Sequence, residues 1–312
     1  MHAAVVTSFD RPPQYAEWPD PVAGPGELVV DVVAAALHHR VRSQADGSHY
    51  TSTGDLPMVP GVDAVVRDGD GRLRYALLGD TVLGTMAQRT VIEQRSSVVL
   101  PDDADPATVA AVMNPAMSSW VSLRRRIDFE PGMSVLVVGA TGNSGRVAIQ
   151  VANRFGASSV IAAGRDQSKL DALRPIGADA TCLVDDLSPA ADVDVVIDYL
   201  WGDIAGRGMA ELIRHRKDRS APLTWIQIGS MAGSSADIPS AALRAGRLTV
   251  VGSGIGSVPG RDYLAELPEI AAVAGDFEIE PRVVPLHDVE AGWQEPVAAN
   301  ERIVFTPQQG PA

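Results

Sequence analysis

The chain has a single cysteine, Cys182, in 312 residues. No internal disulfide can form, and a thiolate-built zinc site is largely excluded. Six histidines do not make up the deficit. They are widely scattered, and the adjacent pair His38-His39 would point to opposite faces of a strand. Such spacing gives neither the three side-chain ligands of a catalytic zinc nor the four of a structural one, so no metal is expected. Positive charge is scarce too: 26 Lys and Arg stand against 39 Asp and Glu, a net charge of -13. That balance argues against nucleic acid or an anionic membrane as a partner. There is no apolar run of about 18 residues, no leader pattern, no low-complexity tract and no internal repeat. With 46% hydrophobic residues, the composition implies a soluble, cytoplasmic, globular protein of two domains.

What is present is concentrated in Val135-Leu-Val-Val-Gly-Ala-Thr-Gly-Asn-Ser-Gly-Arg146. Val135 to Val138 read as a buried parallel strand. From Gly145 to Gly156, the residues Val147, Val151 and Phe155 recur at i, i+4 and i+8, one face of a helix that Gly156 ends. Between strand and helix lies Ala140-x-Gly142-x-x-Gly145, the dinucleotide fingerprint with its first glycine replaced by alanine. One small residue makes the turn, Gly142 lets a pyrophosphate approach the backbone, and Gly145 lets helix and strand pack closely. Phosphates would then meet the positive end of the helix, beside Ala140, Thr141, Gly142, Asn143, Ser144 and Gly145. The alternative is a Gly-rich structural turn.

A NAD site would show an acid at the end of the next strand, about 20 residues past the last glycine. After Ser159-Val-Ile-Ala-Ala163 come Gly164, Arg165 and Asp166. Arg165 falls where a guanidinium would grip a 2′-phosphate, and Lys169 lies one helical turn on. These residues favour NADPH. The alternative makes Arg165 a solvated loop charge and puts Asp166 on the ribose hydroxyls.

The first third of the chain is a β-rich module. Its strand-like runs, Ala3–Val6, Leu28–Val33, Val62–Val66 and Arg89–Ile92, alternate with Pro/Gly/Asp turns. From about Met117 six apolar strands, Val135–Val138, Val160–Ala163, Thr181–Val184, Val193–Asp198, Leu223–Ile228 and Leu248–Val251, alternate with helical segments such as Met209–Arg216. That is the doubly wound α/β pattern. A helical stretch, Tyr263–Ala274, and a strand-like Arg302–Phe305 follow. Asn114 before Pro115 reads as a helix N-cap with proline at the first helical position, or as a cleft residue. Gly229, Ser230, Gly252, Ser253 and Gly254 lie at C-terminal strand ends, where ligands bind in this fold.

Taken in order, Met1-His-Ala-Ala-Val-Val, Gly26-Glu-Leu-Val-Val-Asp-Val, Leu56-Pro-Met-Val-Pro-Gly-Val-Asp63, Pro131-Gly-Met-Ser-Val-Leu-Val-Val-Gly-Ala-Thr-Gly, Gly177-Ala-Asp-Ala180, Ile228-Gly-Ser230 and Val284-Pro-Leu-His-Asp-Val289 resemble the medium-chain dehydrogenase/reductase superfamily, specifically its zinc-independent quinone-oxidoreductase branch. The resemblance implies a discontinuous GroES-like domain, residues 1–117 and 256–312, and a Rossmann domain, residues 118–255. It implies a homodimer in which NADPH gives a hydride to a small electrophile, a quinone or the β-carbon of an enone or enal. The zinc branch carries a Gly-His-Glu motif where this chain has Gly61-Val62-Asp63. His38 stands at the position of a family Asn and Tyr50 at that of a family Tyr. Both are the expected catalytic donors, for an oxyanion or for a proton. His39, Asn114 and Trp201 are expected to line the substrate cleft. The alternatives are alcohol-dehydrogenase-type carbonyl reduction and a non-catalytic NADPH-binding sensor.

Overall fold

Short β-branched runs broken by turn residues become strands in the computed structural model, which describes residues 1–79 and 81–307. In order they are β1 (His2–Val5), β2 (Gln14–Glu17), β3 (Glu27–Ala36), β4 (Asp63–Arg67), β5 (Leu73–Leu77), β6 (Arg89–Glu93) and β7 (Ser97–Val99), with a short helix α1 (His39–Ala45) after β3. Helix α2 (Pro106–Val121) then leads into β8 (Ser134–Val138), α3 (Asn143–Arg154), β9 (Ser159–Gly164), α4 (Gln167–Asp171), β10 (Ala180–Leu183), β11 (Val195–Asp198), α5 (Gly202–His215), β12 (Leu223–Gln227), α6 (Ser240–Arg244) and β13 (Leu248–Gly252). The chain continues through α7 (Gly260–Ala272), β14 (Glu280–Pro285), α8 (Val289–Gln294) and β15 (Glu301–Thr306). Among the described residues, no helix is long and apolar enough to cross a membrane.

The chain divides into two compact units, Met1–Asn114 with Leu267–Ala312, and Pro115–Glu266. Both divisions fall inside helices, α2 and α7, one before the bound 117/118 and the other beyond the bound 255/256 that the resemblance implies. A helix that runs on without a break has no turn residue to mark where its packing partners change.

In the first unit the sheet order is β14-β15-β3-β4-β5-β7, with β6 also on β3 and a separate β1-β2 ribbon. Long β3 is the centre, antiparallel to β4, β6 and β15. The buried core includes Val32, Ala35, Val66, Met86, Ile92 and Phe305. Strand β14 carries a proline near each end, which a sheet edge tolerates because no inner ladder bond is lost.

The second unit holds a parallel sheet ordered β10-β9-β8-β11-β12-β13. That order winds outward in both directions from β8 and β11, so the switch point lies between those two strands. The central strands are buried on both faces, and Val135 to Val138 are 0% exposed.

The N-cap reading of Asn114 is corrected here. Helix α2 starts at Pro106, and Asp105 Oδ2 accepts from Thr108 N at 2.8 Å and Thr108 Oγ1 at 2.7 Å. Asp105 and Pro106 are therefore the capping pair. Asn114 sits half-buried in mid-helix, and Pro115 is tolerated inside the helix. The lost hydrogen bond is offset by burial of Val109–Met113, Ala116, Met117 and Trp120.

Candidate active site

The turn after β8 is pinned to its neighbour: Gly139 N and Ala140 N both donate to Ala163 O at 3.0 Å. Gly142 then opens α3 in extended backbone, φ -83 and ψ 165, and no side chain caps the helix. Uncapped first-turn amides at a helix start are the donors an anion uses. The two glycines have different surroundings. A Cβ on Gly145 would lie 2.5 Å from Ala140 Cα and press on the Gly139 carbonyl. A Cβ on Gly142 would find only Gly139 O, 3.8 Å away. Gly145 is therefore where helix and turn touch, and Gly142 faces open space.

The far edge of this turn meets the end of β9. A Cβ on Gly164 would come 3.1 Å from Thr141 Cγ2. Beyond it, Asp166 Oδ1 accepts from Ser168 N (3.0 Å), Ser168 Oγ (2.6 Å) and Lys169 N (3.4 Å), capping α4. The Ser168 hydroxyl first, then the backbone amides, hold this carboxyl below the usual range. Arg165 and Lys169 are exposed, and Arg165 makes no hydrogen bond or ion pair with the described residues. An open anion cradle, a guanidinium without a partner and an acid tied to its own helix fit a 2′-phosphorylated dinucleotide.

Strand β11, beside β8 at the switch point, ends in Asp198, 0% exposed. Its Oδ1 accepts from Leu200 N (2.8 Å) and Trp201 N (3.0 Å), and Oδ2 from Trp225 Nε1 (2.9 Å). Burial pushes this carboxyl up, against the three hydrogen bonds. Trp201 has φ 55, the sole non-glycine with positive φ among the described residues. Such a backbone costs about 1–3 kcal/mol and persists only where neighbours impose it. The loop also touches the phosphate turn, since a Cβ on Gly139 would lie 3.2 Å from Leu200 Cγ. Gly229 N donates to Asp198 O at 3.1 Å and Ser253 N to Gln227 O at 2.8 Å, so Ser230, Gly252 and Gly254 share this carboxyl edge. Cys182 is buried away from any role here, its thiol pushed up to about 12 by burial, with Asp186 and Glu211 adding.

The first unit carries a second polar cluster. The antiparallel register pairs Val304 with Ala36, which brings Arg302 of β15 level with His38, just past the end of β3. Beyond β3 come Asp63 of β4 and Tyr75 of β5, on one face because Tyr75 pairs with Val65. His38 and Asp63 side chains are each 2% exposed. His38 Nε2 lies 2.8 Å from Asp63 Oδ1, and Tyr75 OH donates to Asp63 Oδ2 at 2.5 Å. Burial alone would raise the Asp63 pKa. The His38 charge, the bonds from His38 and Tyr75 and the Arg302 charge outweigh it, and the net shift is downward. Arg302 is buried, with no hydrogen bond at Nε or Nη1. Burial brings it down to about 10, against the pull of Asp63 and Tyr75.

A depressed carboxylate gives stability that is present above its unfolded pKa, about 3.9, and lost as pH falls through the folded value. Asp63→Asn is expected to flatten the acid-side loss of the urea midpoint below about pH 4 relative to the parent. Parallel curves for the two proteins would contradict the shift.

No family model matches the chain. A probable NADPH-dependent quinone reductase from Emericella nidulans is 29% identical, aligned over 98% of this chain and 100% of that protein. The chloroplastic NADPH-dependent alkenal/one oxidoreductase of Arabidopsis thaliana is 28% identical over 49% of this chain and 44% of its own length. The crystal structure of the quinone oxidoreductase of Thermus thermophilus, also solved with NADPH, superposes with a TM-score of 0.81 at 24% identity over 98% of this chain and 100% of that one, a likeness of fold. Over its full length the chain is thus similar to quinone-oxidoreductase-like proteins and shares the fold of one of them.

In this quinone-oxidoreductase-like chain the two expected catalytic donors lie apart. His38 is buried on Asp63, whereas Tyr50 is 76% exposed in a turn against the His49 ring, centroids 4.4 Å apart. His39 opens α1 on the exposed side, and Asn114 stays half-buried in α2. Trp120 is core, its Nε1 donating to buried Glu266 at 2.9 Å. The sequence reading missed Asp63, Tyr75 and Arg302 as a cluster, and Asp198 as a loop anchor. A signal was available: Asp63 and Asp198 are lone acids at the ends of otherwise apolar strand runs. Among the described residues, no group of three or more His, Cys, Asp or Glu is arranged to hold a metal ion.

Proposed function

We propose that this protein is an NADPH-dependent, zinc-independent reductase of quinones or α,β-unsaturated carbonyl compounds. Full-length likeness to a probable NADPH-dependent quinone reductase and partial likeness to an alkenal/one oxidoreductase support the reaction class. One observation carries the cofactor choice: Asp166 is committed to capping α4 while Arg165 beside it is unengaged. When bound, NADPH supplies a hydride. The first-turn amides of α3 would hold its pyrophosphate, with Gly142 admitting the phosphates. Arg165 and Lys169 would hold the 2′-phosphate. Trp201 with Gly229, Ser230, Gly252, Ser253 and Gly254 would border the nicotinamide. As a hydride reaches an enone, negative charge grows on the carbonyl oxygen and a proton is needed. His38 carries that proton in this reading, because a buried carboxylate orients it. Tyr50 is the weaker candidate, since no hydrogen bond orients its hydroxyl among the described residues.

The test is NADPH oxidation with a panel of quinones, enals and enones, before and after dialysis against a strong chelator. Turnover that survives the chelator supports the proposal. Turnover of saturated aldehydes alone would favour alcohol-dehydrogenase-type reduction, and tight NADPH binding with no turnover would favour a sensor. Arg165→Ala is expected to weaken NADPH about ten- to a hundred-fold, roughly 1.5–3 kcal/mol for a charge-assisted contact, and to leave NADH unchanged. Equal NADH and NADPH affinities in the parent would remove the assignment. A homodimer is part of the same proposal, checked by light scattering.

A further inference from the structure

We infer that Asp63 and Tyr75 are positioning residues that lock His38 in its Nε2–H form and leave Nδ1 as the ring nitrogen the carboxylate does not engage, the position from which a proton would pass to a bound substrate. The inference rests on the reading of His38 as proton source and goes beyond it by naming what sets its chemistry. Three observations carry it.

The first is donor counting. An ionised carboxylate only accepts. Tyr75 OH donates to Asp63 Oδ2, so Oδ1, 2.8 Å from His38 Nε2, requires a proton on that nitrogen. The second is confinement. Thr85 Oγ1 donates to the Asp63 carbonyl at 2.9 Å, and both partner side chains are 2% exposed, so no rotamer exchange brings Nδ1 to the carboxylate cheaply. The third is that Nδ1 itself is buried without a hydrogen-bond partner. A buried donor or acceptor left unpaired costs about 1–3 kcal/mol, a cost that a tautomer facing the other way would move rather than remove.

The charged and titratable groups around the ring come from four elements. They are Asp63 on β4, Tyr75 on β5, Arg302 on β15 and His39 on α1, with Arg42 beyond His39. Asp63 is the sole anion among them. It therefore fixes which ring nitrogen keeps its proton and sets its negative charge against the positive charge of Arg302. In the step itself, the Nδ1–H bond breaks with its electron pair staying on nitrogen. The proton goes to the anionic atom of the reduced substrate, and the ring is left neutral with Nε2–H in place. Tyr75 keeps Asp63 Oδ2 satisfied, so the carboxylate cannot rotate toward another donor.

The experiment uses the full chain labelled with 15N in histidine, with His38 assigned by its loss in His38→Asn. In the parent the ring nitrogens should report Nε2 protonated throughout and Nδ1 titrating. Nδ1 permanently protonated would overturn the inference without any reference to activity. Asp63→Asn keeps the shape and removes the charge. With an enone and saturating NADPH, its kcat should fall by roughly 10²-fold, the lower end of what a positioned acid contributes. The basic limb of its pH profile should move down by about 1–3 pH units. Tyr75→Phe should lower kcat less and leave the tautomer fixed. A purely structural role predicts lower melting temperatures with an unmoved pH profile and unmoved nitrogen shifts, and that result would also overturn the inference. If His38→Asn keeps full kcat, the reading of His38 as proton source fails, while the nitrogen spectrum still decides the tautomer.

Discussion

NADPH binding will be lost from Gly142→Val while the protein stays folded. The backbone at Gly142, φ -83 and ψ 165, lies in the region valine prefers. A side chain there meets nothing of the protein nearer than Gly139 O at 3.8 Å. The folding cost is confined to a poorer helix start, about 1 kcal/mol, or about 2–4 °C in melting temperature for a unit of this size. The branched side chain, however, fills the space the phosphates need. Loss of the pyrophosphate seat should weaken NADPH at least 100-fold, about 2.8 kcal/mol or more. Gly145→Ala should behave in the opposite way. Its methyl group would be driven into the Ala140 backbone at 2.5 Å, and overpacking of that kind costs about 1–3 kcal/mol, so stability falls before binding is reached. Thermal melts and fluorescence titrations on both variants separate the two effects. Tight NADPH binding in folded Gly142→Val would sink the site assignment.

The two glycines illustrate what could be read in advance. Spacing alone assigned one glycine to phosphate approach and the other to close packing, and the surroundings differ in that sense. The strands of the second unit were legible as short apolar runs: the central β8 and β11 are buried on both faces, and the edge strands β10 and β13, though partly exposed, stay mostly apolar. The first unit was less so. Leu73–Leu77 reads Leu-Arg-Tyr-Ala-Leu, and Arg74 breaks the apolar signal although it is 7% exposed, paired with Asp68 and Ser97. Asn114-Pro115 was misleading because a proline is a start signal only when nothing upstream starts the helix first. The His38 cluster was out of reach for another reason. His38, Asp63, Tyr75 and Arg302 are far apart in the chain, and only strand order and register place them in one row. Adjacent His38-His39 drew attention to the pair, whereas the partner that matters is across the sheet.

Asp198→Ala should be among the most destabilising single substitutions in the second unit. Three donors, Leu200 N, Trp201 N and Trp225 Nε1, converge on this one buried carboxylate at 2.8–3.0 Å. Truncation leaves all three without their acceptor, at about 1–3 kcal/mol for each group that water cannot reach, the buried Trp225 Nε1 above all. It also frees the strained Trp201 backbone, φ 55, and relief of about 1–3 kcal/mol offsets part of that loss. The net expectation is about 3–5 kcal/mol, read from urea unfolding with an unchanged m-value. Asp198→Asn separates the contributions. One amide oxygen can still accept from the two backbone N–H groups, while the amide nitrogen turns a donor toward Trp225 Nε1. That variant should lose about 1–3 kcal/mol, offset in part because burial already disfavours the charge it removes. Equal losses for Ala and Asn would mean that the indole bond dominates and the loop needs no anchor. A loss below about 1 kcal/mol for Ala would mean that water replaces the carboxylate. If the anchor holds as described, the loop behind Trp201 should be released in Asp198→Ala first. Hydrogen exchange at Leu200 and Trp201 should then rise before the central strands open.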